Sequence, residues 1–444
     1  MKYAFTNVNV LDGNLDQQGK LSLQEKISVL VEDDTIKALG KDLDTSGFEV
    51  IDLKGQYMIP GLINLHMHLV PSMTIKPSKK KDDEEEAKPI DYEAIKKLLT
   101  GNKLGIMLAN ALLKSVIKNT VNSGTTTIRT VGGIADFDSR FRDMIRNNKM
   151  VGPRMYVANT AISVPKGHMA GLLAYEATDP EDAREYVRKI AATDPDLIKL
   201  MVTGGILDAS EDGEPGALKM DPEIIKAACE EANRLGYDVA AHTESAEGIK
   251  AALRGGVHTI EHGARPDEEM LELFKEKDGV LVATLSPALP YVYMDPAETG
   301  LGELGKKNST IVFEGFVDCA NACRKEGITV GLGTDTGCPF IACYDMYREL
   351  EYFVRFCNAT PDEAIATATK VNARILRIDD ITGTIEAGKK ADLLICAKDP
   401  RSDLETLKQP VMVAANGNLI RKPKIRRMKV CEEALEKIRP LWDK

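Results

Sequence analysis

His66 and His68 stand two residues apart in an apolar run, PGLINLHMHLV at residues 60–70, in a chain with only six histidines. The run is rich in Ile and Leu and is entered through Pro-Gly, which reads as a strand. On a strand, residues i and i+2 point to one face, about 6.6 Å apart. Two imidazoles placed in this way can converge on one metal ion, or they can be two hydrogen-bonded histidines of a core. What else reaches the same place decides between the two.

Other strand-like runs carry candidates at their C-terminal ends. Lys199 lies in DLIKLMVTGG, His242 in VAAHTES, His262 in IEHGA and Asp335 in GLGTDTG. Imidazole nitrogen and carboxylate oxygen are the usual ligands of zinc and similar divalent ions, and a catalytic site keeps one position open for water. Lys199 fits this company badly, because an ammonium repels metal ions and is costly to bury. Taken alone, it is a snorkelling or ion-paired lysine. Carboxylation of its ε-amine by carbon dioxide removes the conflict, since a carbamate is anionic and its two oxygens can bridge two metals.

The elements that must hold these residues follow from the pattern along the chain. Residues 58–380 alternate strand-like runs with amphipathic stretches such as DPEIIKAACEEANRLG. The runs are the His66 segment, GTTTIRTVGG, RMYVANTAI, the Lys199 segment, YDVAAHTE, GVHTIEHGA, GVLVATLSP and GITVGLGTDTG. Eight strands alternating with helices indicate a (β/α)8 barrel. A doubly wound open sheet competes, but no glycine-rich dinucleotide fingerprint follows the first strand. Residues 1–57 and 381–444 share a different texture of short alternating segments with Gly, Asp and Asn turns, and are expected to meet in one small β module. Active residues of such barrels collect at the C-terminal ends of the strands, so all six candidates fall on one rim. The charged stretch at 71–90, which includes PSKKKDDEEEAKPI, leaves from that rim and reads as an exposed loop able to act as a lid.

Composition narrows the partners. With 444 residues and a net charge of −10, the chain is suited neither to nucleic acid nor to an anionic membrane. Eight scattered cysteines without a CxxC pair fit a reduced protein better than a disulfide scaffold or a structural zinc site. The start, MKYAFTNVNVLDG, lacks a signal-peptide core and no run approaches the ~20 apolar residues of a spanning helix. A soluble, cytoplasmic protein is the expectation.

These motifs together resemble the amidohydrolase superfamily, in the imidazolonepropionase-like branch that includes Xaa-Pro dipeptidase-like and arginine/lysine carboxypeptidase-like enzymes. The resemblance is carried by PGLINLHMH, DLIKLMVTGG, AAHTESAEGI, GVHTIEHGA, GLGTDTG, TPDEAIATATKVNARIL and GTIEAGKKADLLI, between residues 58 and about 397. It implies a distorted TIM barrel with a small β-sandwich formed from both chain ends. It also implies two divalent ions, zinc first among them. His66, His68 and Asp335 would hold the more buried ion, His242 and His262 the other, with carboxylated Lys199 as the bridge. Oligomers are common in the family, although no heptad or interface patch stands out in the sequence.

The chemistry implied is hydrolysis of an amide in a small molecule, a dipeptide or N-acyl amino acid, by metal-activated water. Asp335 is the expected catalytic group, taking the proton of that water and returning it to the leaving nitrogen. The alternative is a cyclic-amide hydrolase of imidazolonepropionase or hydantoinase type, but imidazolonepropionases resemble a one-metal pattern without the bridging lysine. A non-catalytic scaffold would be expected to have lost ligands, and none is missing. His168 resembles a family histidine that touches substrate, though Lys166-Gly167-His168 stands where relatives often have Gly-Gly-His. Arg265 either binds a substrate carboxylate or pairs with Asp267 or Glu268. Tyr291 and Tyr293 either wall the pocket or pack their own loop. His258 lies four residues before His262, about 13 Å lower on the strand, and reads as structural. Trp442 carries no catalytic signal.

Overall fold

A computed structural model describes residues 2–71, 97–208 and 215–442. The charged stretch read above as a possible lid lies, after Pro71, outside the described residues. Both chain ends contribute to a single eight-stranded sheet. The first part supplies β1 (Lys2–Leu15), β2 (Leu21–Glu32), β3 (Thr35–Gly40), β4 (Glu49–Asp52) and β5 (Tyr57–Pro60). The last part supplies β16 (Leu393–Cys396), β17 (Met412–Ala415) and β18 (Asn418–Ile420), which complete that sheet. The sheet runs β18-β17-β16-β5-β1-β2-β3, with β4 beside β1. Antiparallel pairing of β5 with β16, Ile59 opposite Leu394, ties the two ends together. Phe5, Val8, Val10, Val29, Leu393 and Ile395 pack into its core.

The intervening chain forms the barrel. Its strands are β6 (Leu62–Met67), β7 (Thr125–Thr130), β8 (Arg154–Val157), β9 (Ala161–Ser163), β10 (Ala174–Glu176), β11 (Leu197–Met201), β12 (Asp238–Thr243), β13 (Thr259–His262), β14 (Val280–Ala283) and β15 (Val330–Leu332). β6, β7 and β8 make a parallel three-stranded sheet, and the rest make a seven-stranded sheet ordered β10-β9-β11-β12-β13-β14-β15. The ladder therefore does not close. At one junction a hydrogen bond from Asp196 N to the Val157 carbonyl (2.7 Å) spans the gap. At the other, between β15 and β6, an isolated bridge joins Met67 to Thr336. The distortion expected of the barrel is located at these two seams.

Most of the strands are buried on both faces, β8 and β10 excepted, so they read as near-continuous apolar runs rather than alternating ones. All five residues of β11, LIKLM, are buried. The helices between them carry the signals that place them. Helix Pro222–Arg234 is capped by Asp221, which accepts from Glu223 N, begins with proline, and buries Ile224, Ile225, Ala228 and Ala232. Among the described residues no helix is long and apolar enough to cross a membrane.

Candidate metal centre

Four barrel strands and the turn after β15 bring the sequence-predicted residues together. His66 sits within β6, Lys199 within β11, and His242 and His262 at the ends of β12 and β13, while Asp335 follows β15 by three residues. The first and last strands are locked at this point. Thr334 N and Asp335 N both donate to the His66 carbonyl (3.0 and 2.8 Å), and His68 N donates to the Thr336 carbonyl (2.8 Å). Gly333 permits the approach: a Cβ there would lie 2.4 Å from that of His66 and 2.5 Å from its amide nitrogen. His262 (φ 74°) and Asp335 (φ 55°) adopt the left-handed backbone conformation. Non-glycine residues rarely hold that conformation unless their surroundings over-determine it, as at functional sites.

The imidazoles form a row. Ring centroids are separated by 5.7 Å from His68 to His66, 4.6 Å from His66 to His262, 4.7 Å from His262 to His242 and 4.2 Å from His242 to His168. The last two rings stack within 7° of parallel. His66, Lys199 and His262 are each 1 % exposed, so the row lies inside the barrel mouth.

Hydrogen bonds on the far side of the rings decide what the near side can do. His66 Nδ1 lies 2.7 Å from Glu261 Oε2, and His68 Nδ1 lies 2.8 Å from the Gly132 carbonyl. Both partners only accept, so in the neutral rings Nδ1 carries the proton and Nε2 presents a bare lone pair. Those two Nε2 atoms sit 3.3 and 3.2 Å from one oxygen of Asp335, which also lacks a hydrogen-bond donor. Ligand atoms of His66, His262 and Asp335 all fall within 4.8 Å of one another. Acceptors crowded together without a proton between them repel, and a shared cation relieves the repulsion. The residues present thus fit a metal.

The charges around the row favour the same arrangement. Glu261 is fully buried between His66 and Arg129, whose Nη2 reaches it at 2.6 Å. Burial opposes ionisation of Glu261, but Arg129, His66 and Lys199 hold it well below the usual carboxylate range. Such an anion behind a ligating imidazole fixes its tautomer and raises its basicity. His242 and His262 are driven well below the usual imidazole range, by burial first and then by neighbouring His168 and His66 respectively. Lys199 Nζ is buried with no hydrogen-bond partner. Burial lowers it to about 8 against the pull of Glu261 and Asp335.

A sequence profile of the amidohydrolase family matches residues 57–420. The chain belongs to the amidohydrolase family. This amidohydrolase is 29% identical over 336 residues to the ochratoxinase of Aspergillus niger, covering 69% of this chain and 67% of that protein. Its fold matches a Bifidobacterium longum protein provisionally called a prolidase, with a TM-score of 0.83, 30% identity and 98% of both chains covered. It likewise matches a Xaa-Pro dipeptidase with methionine bound in its active site, with a TM-score of 0.78, 26% identity and coverage of 94% of this chain and 99% of that one. The protein is accordingly a hydrolase of carbon–nitrogen bonds with a metal-binding cluster.

The remaining candidates separate. His168 joins the row, its Nδ1 2.5 Å from Asp208 Oδ2. Tyr291 is buried, and its hydroxyl has no partner. Burial, and then the nearby charges of Cys338 and Asp335, push it well above the usual phenol range. Tyr293 instead packs against Phe313 and Phe356. Arg265 is exposed and pairs with Glu314 and Asp318 at 3.0 and 3.2 Å. The structure does not bring it to the row, and its partners are not the two acids adjacent in sequence, because Asp267 caps helix Glu268–Glu276 and pairs with Lys250. His258 lies at the opposite end of the strands, 3.0 Å from Val239 N.

Several groups at the site were not singled out by sequence. Glu261 and Arg129 were legible as opposite charges inside the buried runs TIEH and TTTIRT. Asp208, which orients His168 from a short turn seven residues past β11, and Thr284, 2.7 Å from His262 Nδ1 and just past β14, carry no distinguishing pattern. Cys338 donates to the second oxygen of Asp335 at 3.3 Å. Glu244, two residues past His242, has one buried carboxyl oxygen without a partner.

Proposed function

We propose that this amidohydrolase cleaves the amide bond of a dipeptide or N-acyl amino acid and releases a C-terminal amino acid, using two divalent ions, zinc in the first instance. The observation that carries the reading is the convergence of bare His66, His68 and Asp335 acceptors beside an unpartnered buried lysine. His66, His68 and Asp335 would hold one ion, His242 and His262 the other, and Lys199 would serve both as its carbamate. Burial lowers Lys199 and so raises its share of free amine at neutral pH. That amine can add carbon dioxide, forming an N–C bond and releasing one proton.

Bound divalent ions supply Lewis acidity, which acidifies water and polarises a carbonyl. The chain's own groups do the rest. The Asp335 carboxylate takes the proton of the attacking water and returns it to the leaving nitrogen. Glu261 and Arg129 hold His66 in one tautomer and one orientation. His168, braced by Asp208 against His242, and the Tyr291 hydroxyl stand where the substrate's polar atoms would arrive. The relatives' names support a linear amide ending in an amino acid, since prolidases and Xaa-Pro dipeptidases are among them.

The test is amino-acid release by zinc-loaded protein from a panel of dipeptides and N-acyl amino acids, with hydantoins and lactams as ring-amide controls. Turnover of linear substrates is expected. Opening of ring amides alone would overturn the substrate class. Metal analysis of Lys199→Ala checks the bridge, with loss of bound metal expected.

A further inference from the structure

Helix Lys103–Asn122 packs one face onto the barrel through Ala109, Leu113, Val116 and Ile117, which join Ile128, Phe141 and Met155 in one core cluster. Its other face is apolar too. Leu104 (70 %), Met107 (63 %), Leu108 and Leu112 are exposed at spacings of three, four and eight residues, and Leu98 (60 %) precedes them. That spacing sets the helical residues in one row. The other large exposed apolar residues among those described, such as Leu15, Val50, Val151, Leu235 and Val430, are scattered along the sequence. Because the helix ends just before β7 begins, its exposed first half stands at the C-terminal rim of the barrel, the end that holds the imidazole row.

We propose that this row is where a second copy of the chain docks, helix against helix about a twofold axis. The area supports that occupant. At these exposures the five side chains offer on the order of 500 Å² of apolar surface per copy, so two copies bury about 1,000 Å², the threshold for a specific interface. A patch of this size is as large as the largest that a typical monomer exposes, and such patches are often functional. A straight row on one helix is self-complementary: antiparallel pairing sets Leu104 against Leu112 of the partner subunit, with Leu108 at the axis. A lipid surface suits the row less well, because the chain carries a net charge of −10.

Sedimentation equilibrium of the full chain at micromolar concentration tests the proposal. Wild type is expected at twice the chain mass or an even multiple of it. The double variant Leu104→Glu, Met107→Glu is expected to lose one association step, with a Kd raised at least about 100-fold and unchanged circular dichroism. Leu108→Cys gives an independent reading if the double variant misfolds. Under mild oxidation it should form a covalent dimer that wild type does not, since seven of the eight native cysteines are buried. A monomeric wild type, an assembly indifferent to the double variant, or no cross-link at Cys in place of Leu108 would each overturn it. A monomer that co-sediments with neutral liposomes, and loses this in the double variant, would replace the second copy with a lipid surface.

Discussion

The two ends of the barrel hold the same residue type in opposite states. At the N-terminal end, His258 accepts from Val239 N at 3.0 Å through Nδ1 and places Nε2 3.3 Å from Asp238, so both ring nitrogens meet complementary partners. At the C-terminal end, four residues further along, His262 lies in a row in which His66 and His68 aim bare nitrogens at a carboxylate. A histidine with both ring nitrogens matched is finished as a structural element. One whose proton is committed behind it, and whose lone pair faces other acceptors, is complete only with a cation. Hydrogen-bond completeness, rather than burial or sequence neighbourhood, separates the two.

The contrast can be broken most severely at Asp335. Asp335→Asn removes the proton carrier and should lower kcat by about 10³-fold or more, read in steady-state assays with metal content measured in parallel; near-normal turnover would falsify the proton-transfer assignment. Metal addition comes next. Zinc at a thousand times its Kd should stabilise the fold by about 4 kcal/mol, seen as a rise in Tm that a chelator reverses. If the acceptor row needs no cation, Tm will not move. Glu261→Gln tests the support behind the row: it leaves Arg129 buried with reduced compensation and should cost about 3 kcal/mol in urea unfolding. It should also weaken metal affinity 10- to 100-fold. A variant with wild-type metal affinity would make the carboxylate structural only. The smallest effect is expected at the other end, where His258→Asn should cost under about 1 kcal/mol and leave kcat and the zinc-induced stabilisation unchanged. A loss of metal response there would erase the distinction between the ends.

Most of the barrel and all six proposed ligands were legible because parallel strands buried on both faces leave long apolar runs, against which a His, Lys or Asp is conspicuous. Glu261 and Arg129 were equally conspicuous, but as a pair joined across the barrel they have meaning only once β7 and β13 are placed. Loop residues were harder. Tyr291 and Tyr293 are two apart on one short helix, yet one buries a hydroxyl that has no partner and the other packs on Phe313 and Phe356. Arg265 pairs with acids about fifty residues away, on helix Gly302–Lys325, rather than with its sequence neighbours. Side-chain direction in such segments is set by tertiary packing, which local pattern does not encode. The open seams of the barrel were not legible for the same reason, since pairing between distant strands decides them.

The lock between β6 and the turn after β15 bears on how the protein is made. His66 and His68 leave the ribosome early, but the backbone that receives their carbonyl and amide bonds, and the carboxylate they face, arrive only once synthesis has passed Thr336. The cluster of His66, His68 and Asp335 therefore cannot close before the last barrel strand and its turn have been made.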